Sequence, residues 1–291
     1  MQAQESSRNL HNNESELNMS SILDGVRSIL NELNGQNDGV LLINNAYERI
    51  YKNWNKKPSR SRLNWELRVV PLPLPTTKRK GEHNSKAEVP LERAIAHAFN
   101  DKNIMCNQMP VASGLLDKPT KESPSEYDKR RAIDLIYKSD ALKESYEFIE
   151  LKVAINKKDS PKNAAIEILE YGLLYLFSRE QRNKLKYGID KKPILRATNI
   201  GLRVLAEENY YKNWDDDSFL SMTNQITKAL RTFIEGRSQD FSGLDMDFEF
   251  QVFTSGYECP AIDTEKELTS EILDSLRNAI TTKKNYPRKL I

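Results

Sequence analysis

Two apolar, strand-like runs, residues 131–138 and 146–154, stand on either side of the short polar segment SDALKES. Two such runs joined by a few polar residues are typical of an antiparallel β-hairpin. If the hairpin is centred on Leu142, residues at equal distances from Leu142 pair with each other, and Asp134 faces Glu150. The Cβ atoms of directly opposed residues lie about 5 Å apart. The sequence therefore predicts two carboxylates side by side on one hairpin.

The alternation of side chains along a strand predicts what each face of this hairpin carries, because residues two apart share a face. One face is expected to be an apolar layer made of Ile133, Leu135, Tyr137, Ile149, Leu151 and Val153. The other face carries Asp134, Glu150 and Lys152. Ile136 and Phe148 frame this polar group. Two acids and one amine are thus expected to converge on one surface.

This grouping has a chemical interpretation. Two opposed carboxylates destabilise a strand pair, and a divalent cation bound between them removes that cost. Mg²⁺ typically binds one or two carboxylates together with waters and substrate phosphate. The Lys152 ammonium beside such a site could orient or deprotonate a water, or stabilise a phosphoryl transition state. The pattern indicates metal-assisted phosphodiester hydrolysis. The alternative is an exposed polar strand face with a surface ion pair that contributes little.

Asp134, followed after fifteen residues by Glu150, Leu151 and Lys152, resembles the D…(D/E)xK motif of the PD-(D/E)XK nuclease superfamily, the restriction-endonuclease-like fold. The resemblance covers roughly residues 88–206. It implies an α/β core with a mixed central sheet flanked by helices, in the order αβββαβ. It implies that Asp134, Glu150 and the backbone carbonyl of Leu151 are the metal ligands. It also implies that Lys152 is the catalytic lysine and that the cofactor is Mg²⁺, for which Mn²⁺ can substitute.

The resemblance further implies an acid on a helix upstream of the hairpin. A helix is predicted over residues 88–99, with Pro90 in its first turn. Glu92 matches the family's catalytic acid best, and Glu88 is the second choice. An ordinary solvated position on the helix is the open alternative for Glu92.

The chain departs from the family pattern in two places. Ala132 and Ile133 precede Asp134, so the family's nominal Pro is absent. On the long helix predicted downstream, Glu167 and Tyr171 have the spacing of the Q-xxx-Y motif of some family branches but lack its Gln. That helix is expected to pack across the sheet beside the site.

The hydrophobic pattern divides the chain into four regions. Residues 1–19 are expected to be a disordered tail, and residues 20–87 a helical and basic N-terminal region with an added pair of helices. Residues 88–256 are expected to form the nuclease-like domain, and residues 257–291 a C-terminal helix and basic tail.

Within these regions the periodicity predicts individual elements. Ser20 or Ser21 is expected to cap the first helix and Gly35 to end it; Ser160 is expected to cap the long helix. The predicted helices cover 20–33, 40–54, 160–182, 218–236 and 265–281, and strands are expected within 191–209 and at 245–256.

Residues 52–80 carry nine basic residues against one acid, although the formal net charge of the whole chain is only +2. Trp54 and Trp65 lie within this segment. A basic run interleaved with aromatic residues favours contact with a phosphate backbone, and a solvated surface is the alternative. The predicted partner is nucleic acid. The preference for double-stranded DNA is what the family resemblance implies, and RNA cleaved by the same chemistry is the weaker alternative. The residues expected to bind it are Lys56, Lys57, Arg60, Arg62, Lys78, Arg79 and Lys80.

Two other acidic groups are expected to be structural. Residues 215–217 are three aspartates that precede a helix, where N-capping and the helix dipole account for them. Asp245, Asp247 and Glu249 alternate along a predicted strand and are expected to form an exposed face.

Composition excludes several classes of protein. Two cysteines and three histidines are too few for a disulfide framework or a Cys/His zinc centre. No apolar run has the roughly 18 residues that a membrane span needs, and the N-terminus lacks the apolar core of a signal peptide. A cytoplasmic protein is therefore expected, and a homodimer is compatible with the sequence.

The leading prediction is a Mg²⁺-dependent nuclease that hydrolyses phosphodiester bonds in DNA, of a restriction, defence or repair type. The alternative is a non-catalytic nuclease-like module that binds nucleic acid or assembles with other subunits.

Overall fold

The structure is a computed structural model, and it describes residues 21–34, 36–56, 63–71, 88–99, 104–113, 131–140, 144–153, 160–237, 239–254, 257–260, 262 and 268–286. The helices are α1 (Val26–Leu30), α2 (Gly39–Lys56), α3 (Glu88–Ala98), α4 (Pro161–Glu180), α5 (Glu208–Tyr211), α6 (Asp216–Glu235) and α7 (Ser270–Thr281). The strands are β1 (Met105–Pro110), β2 (Ala132–Asp140), β3 (Ser145–Lys152), β4 (Asn199–Ala206), β5 (Asp245–Val252) and β6 (Lys284–Tyr286). Two short 3₁₀ turns, Ile189–Lys191 and Pro193–Arg196, lead into β4.

The six strands form one mixed sheet in which spatial order follows chain order. The first three strands pair antiparallel, β3, β4 and β5 run parallel to one another, and β6 pairs antiparallel with β5. The parallel step from β3 to β4 requires a crossover, and α4 supplies it. The mixed α/β class predicted from the sequence is confirmed.

The predicted hairpin register is confirmed. Leu135 pairs with Ile149 and Lys138 with Tyr146, so both pairs are centred on Leu142. The register shifts only next to the turn, beyond Lys138.

A different group of helices packs on each face of the sheet. The larger core lies between the sheet and helices α1, α2, α4 and α6, and it includes Ile136, Phe148 and Leu202. The second core lies under α3 and α7 and includes Leu135 and Ile149. The predicted apolar layer therefore faces α3 and α7, with Ile133 as the exception. Ile133 belongs to the larger core, and the neighbouring residue on β1, Gln108, has a left-handed φ of 50° that marks an irregularity at this level.

Helix α4 is buried on nearly all sides, as expected for a helix without a polar face. Ser160 caps it by accepting a hydrogen bond from the Asn163 amide at 3.2 Å, and Pro161 takes the first helical position, as predicted. A Cβ on Gly172 would lie 2.7 Å from a methyl of Leu202, so the glycine lets α4 approach β4 closely. The helix thus packs across the sheet with α1 and α2 on its outer side.

The N-terminal segment begins differently from the prediction. Ser21 does not cap α1: its hydroxyl donates to the carbonyl of Ser113 at 2.9 Å and ties the start of the segment to the end of β1. The helix is preceded by Gly25, whose φ of 78° separates a turn over residues 22–25 from the five-residue α1. Ser20 and Gly35 lie outside the described residues.

The C-terminal segment also differs. Residues 284–286, expected within a basic tail, form the edge strand β6. Helix α7 packs against α3, and Leu276 and Ile280 lie in the same core as Ile149.

The acidic residues of β5 are not simply an exposed face. Asp247 contacts Arg203 at 2.6 Å, and Glu249 lies 3.9 Å from the same guanidinium. Arg203 also lies 3.5 Å from Glu147, which contacts Lys283 at 2.8 Å. We call these five residues the arginine cluster. The aspartates before α6 behave as predicted, since Asp215 accepts a hydrogen bond from the Ser218 amide at 2.8 Å.

Within the described part of the chain, no helix combines the length and the apolar character needed to cross a membrane.

Candidate active site

The site lies where strands β2 and β3 stop pairing. Their ladder ends at Leu135 and Ile149, although β2 begins earlier, at Ala132, and β3 continues to Lys152. If the register is continued by one residue, Asp134 lies opposite Glu150, just beyond the last paired residues of the two strands. The two residues predicted to face each other therefore lie where the described backbone pairing of this hairpin ends.

Asp134 contacts β3 at this point. Its Oδ2 accepts a hydrogen bond from the Leu151 amide at 3.0 Å. The amide and carbonyl of a strand residue point to the same side, so the Leu151 carbonyl faces β2 as well. Oδ1 of Asp134 accepts no hydrogen bond from any residue that the structure describes.

Glu150 and Lys152 lie on the same face of β3 and are both buried. The Lys152 ammonium donates to Oε1 of Glu150 at 2.6 Å. Burial disfavours the ammonium, but the Glu150 carboxylate more than compensates, and Asp134 adds to its effect, so the pKa of Lys152 is raised above its ordinary value. Lys152 is therefore held as a cation. Oε2 of Glu150 has no hydrogen bond within the described ranges.

Glu92 reaches the site from α3 and is buried, at 2% exposure, rather than solvated. Its Oε2 accepts a hydrogen bond from the side-chain amide of Gln108 at 2.6 Å. Its Oε1 is buried and makes no regular hydrogen bond with the described residues, although the Asn107 side chain lies close enough to lower the pKa of Glu92. Gln108 is itself fixed, because Nε and Nη2 of Arg68 donate to its carbonyl at 3.0 and 2.8 Å. A carboxylate oxygen buried without a donor is costly unless a ligand completes it.

The carboxyl groups of the site have raised pKa values, because they are buried and close to one another. Burial raises the pKa of Asp134 to about 7, against the opposing effect of Lys152. Burial and the neighbouring Asp134 raise the pKa of Glu92 to about 8. Burial, together with Asp134 and Glu167, raises the pKa of Glu150 well above its ordinary value. A single ammonium is too little positive charge for this group of acids.

Helix α4 adds a fourth acid. Glu167 raises the pKa of both Asp134 and Glu150, and it accepts a hydrogen bond from the Tyr171 hydroxyl at 3.0 Å. Burial and Glu150 in turn raise the pKa of Tyr171. The spacing noted in the sequence therefore does bring this pair to the site, with Glu in the position of the Gln.

One further group next to the site has no sequence signal. The Glu170 carboxylate on α4 is fully buried and contacts two guanidiniums, those of Arg27 and Arg131. Arg27 is 143 residues away in the chain. The hydrogen bond from Gln108 to Glu92 was missed for a similar reason, since nothing local in MCNQMP indicates its left-handed backbone.

The donor set fits Mg²⁺ in kind. Asp134, Glu150 and the Leu151 carbonyl offer oxygen ligands only, and Mg²⁺ is usually held by one or two carboxylates. No three His, Cys, Asp or Glu side chains group closely enough to hold a metal by themselves, as far as the described residues go. Glu92 is therefore an outer member of the site. Its orphaned, buried Oε1 is the observation that favours a cation or a coordinated water here.

Most of the residues predicted to contact nucleic acid lie outside the described part of the chain. Lys56 is exposed at the end of α2. Lys57, Arg60, Arg62, Lys78, Arg79 and Lys80 lie outside the described residues.

The aromatic residues of the basic segment do not form a base-stacking surface. Trp54 is 8% exposed and Trp65 is fully buried, stacked on Phe148 with ring centroids 6.2 Å apart. The two tryptophans, predicted from the sequence to be part of a nucleic-acid surface, are core residues. Trp65 is buried because its part of the segment folds back over β1, where the Trp65 amide donates to the Pro110 carbonyl at 2.8 Å.

Comparisons of the chain with protein-family models, with curated proteins and with solved structures find no match.

Proposed function

We propose that this protein is a Mg²⁺-dependent nuclease that hydrolyses phosphodiester bonds in DNA. The observation that carries the proposal is the carboxyl excess at the end of the β2–β3 ladder. Asp134 and Glu92 have no cation within 4 Å in the part of the chain that the structure describes, and Glu150 has only Lys152. Such a site gains most from a bound divalent cation.

In this proposal Asp134 and Glu150 would hold the cation, with the Leu151 carbonyl as a further ligand. A bound Mg²⁺ supplies Lewis-acid stabilisation of charge on a phosphate oxygen. Hydrolysis joins a water oxygen to phosphorus and breaks the bond from phosphorus to a sugar oxygen. The water loses a proton and the sugar oxygen gains one, and negative charge grows on the phosphate before the bond breaks. The Lys152 ammonium is positioned to donate a hydrogen bond to that charge or to the water. Glu92, through its free Oε1, would orient the water or a metal ligand, with Gln108 fixing its carboxylate.

The test is cleavage of plasmid and linear DNA, and of RNA, with Mg²⁺ or Mn²⁺ and with EDTA. The wild-type protein is expected to cut only with the metal. Asp134→Ala and Lys152→Ala are each expected to reduce the rate by about a hundred- to a thousand-fold, the usual effect of removing one preorganised electrostatic group. Circular dichroism and thermal unfolding verify that both variants fold.

Lys192 offers a matched control, because it is also a buried lysine, held by the Asn64 carbonyl away from the end of the β2–β3 ladder. A folded Lys192→Met variant is expected to keep its activity. If the wild type cuts nothing with either metal, or if both site variants still cut, the nuclease proposal is wrong. DNA binding without turnover would then favour the non-catalytic module.

A further inference from the structure

Two arginines from distant parts of the chain meet on one buried carboxylate beside the site. Nε of Arg27 donates to Oε1 of Glu170 at 3.3 Å, and Nη2 donates to Oε2 at 3.0 Å. Nη1 of Arg131 donates to the same Oε2. Glu170 is fully buried, whereas the side chains of Arg27 and Arg131 are 43% and 33% exposed.

Two guanidiniums face two carboxylates here, at different distances. Both contact Glu170, whereas Glu167 lies 3.9 Å from Nη2 of Arg27. Nη1 of Arg27 and both Nε and Nη2 of Arg131 donate to no other group among the residues described. The result is a pair of guanidiniums fixed by Glu170, each partly exposed, with N–H donors that no described residue uses. Arg203 in the arginine cluster is the opposite case, since it is 8% exposed and is surrounded by three acids.

The pair is next to the carboxylate site. Nη2 of Arg27 lies 3.9 Å from Oε2 of Glu167, the acid that acts on both Asp134 and Glu150. Arg131 lies near Tyr171, whose pKa it lowers against the effects of burial and of the site acids. It also begins the segment that leads into β2, three residues before Asp134. A phosphate bound by this pair would thus be a neighbour of a phosphate at the site.

We propose that Arg27 and Arg131, held in place by Glu170, bind a backbone phosphate of the nucleic acid adjacent to the scissile one. Paired guanidiniums suit this task because their planar donors match phosphate oxygens. The inference rests on the proposed function for the identity of its ligand. In this proposal the N-terminal segment takes part in substrate binding, because Arg27 of α1 is one of the two phosphate-binding side chains.

The test is the salt dependence of DNA binding, measured by fluorescence anisotropy with a short labelled duplex in EDTA, where no cleavage occurs. Each phosphate contact contributes about 0.9 to the slope of log affinity against log salt concentration. Arg27→Gln and Arg131→Gln are each expected to lower the slope by about that amount. With a slope lower by about 0.9, the loss of affinity that each substitution causes should be about eightfold larger at 0.1 M salt than at 1 M salt. Each single variant leaves Glu170 paired with the other arginine, so both should fold.

Two controls give the result its meaning. Arg27→Lys keeps the charge and should retain the wild-type slope. Arg231→Gln removes the same charge from an arginine of similar exposure, 48%, that pairs with Asp245 on β5, three strands away from β2, and it should leave the slope unchanged.

The proposal is overturned if neither Arg27→Gln nor Arg131→Gln lowers the slope, if Arg231→Gln lowers it equally, or if the wild type does not bind the duplex at low salt. Failure of the nuclease proposal looks different: the wild type would bind DNA with the expected slope but would not cut it with Mg²⁺. Stabilisation by Mn²⁺ should be equal in Arg27→Gln and the wild type, since the metal ligands are intact.

Discussion

Two clusters of acids on the same sheet differ in how their charge is balanced. In the arginine cluster every acid has a cation within 4 Å: Glu147 has Lys283, and Asp247 and Glu249 have Arg203. In the carboxylate site Glu150 has Lys152 and Glu167 has Arg27 at 3.9 Å, whereas Asp134 and Glu92 have none among the described residues.

This difference separates a structural network from a site prepared for a ligand. Desolvated charges are tolerated when they are paired, and each acid of the arginine cluster is paired with one of the protein's own cations, although Oε2 of Glu147 and Nε of Arg203 make no regular hydrogen bond with the described residues. Burial raises the pKa of Glu249 in that cluster, and Arg203 opposes the effect. In the carboxylate site Asp134 and Glu92 have no such cation among the described residues, and their pKa values are raised to about 7 and about 8. The missing positive charge is what we expect a divalent cation to supply.

The largest expected effect comes from two glutamates on the same strand. Glu150→Gln should reduce metal-dependent cleavage by about a hundred- to a thousand-fold, and it should also lower the free energy of unfolding by about 1.5–3 kcal/mol because the buried Lys152 ammonium loses its charged partner. Glu147→Gln should leave cleavage intact and lower the free energy of unfolding by about 1.5–3 kcal/mol, since Lys283 and Arg203 lose a charged partner. Cleavage rates and urea unfolding measure both. Equal loss of cleavage in the two variants would contradict the distinction between the carboxylate site and the arginine cluster.

The second effect is stabilisation by metal. A ligand that binds only the folded state adds about 2.7 kcal/mol at a concentration one hundred times its dissociation constant. Thermal unfolding in increasing Mg²⁺ or Mn²⁺ should therefore show a rising midpoint for the wild type and for Asp247→Asn. Asp134→Asn should show almost no rise. A similar rise in Asp134→Asn would place the metal elsewhere.

The smallest effect concerns pH. A carboxyl whose pKa is higher in the folded than in the unfolded chain favours folding at low pH, and the advantage is lost as pH rises through the folded pKa. With ordinary pKa values near 4 and folded values of about 7 for Asp134 and about 8 for Glu92, the metal-free protein should lose stability between about pH 4 and pH 8.

Glu92→Gln isolates part of this pH effect. The charges that act on Glu92 are Asp134, which raises its pKa, and Arg93, which lowers it, alongside the hydrogen bond from Gln108. Removing the buried charge should stabilise the metal-free protein at pH 8, where Glu92 begins to ionise in the folded state, and should have a smaller effect at pH 5. Greater stability of the wild type at pH 8 than at pH 5 would contradict the raised pKa values.

Short-range patterns in the sequence were enough for the hairpin. The alternation of apolar residues and the short polar turn set the register that pairs Leu135 with Ile149, because strand pairing repeats every two residues. The caps at Ser160 and Asp215 were equally local. The same arithmetic brought Asp134 and Glu150 to one place.

Contacts between distant segments could not be predicted in this way. Arg27 meets Glu170 across 143 residues, and no periodicity encodes that meeting. Trp65 looked like part of a nucleic-acid surface because its neighbours in the chain are basic, yet the fold buries it against Phe148. The edge strand β6 is three residues long, too short for its alternation to show in the sequence.

The central claim is that the carboxylate site holds a divalent cation, and calorimetric titration with Mn²⁺ at pH 7 tests it most directly. Carboxyls with raised pKa values release protons when a metal binds, so the heat should depend on the ionisation enthalpy of the buffer. The account predicts binding to one site with proton release in the wild type and in Asp247→Asn, and none in Asp134→Asn. Absence of binding in the wild type, or identical binding in Asp134→Asn, would contradict it.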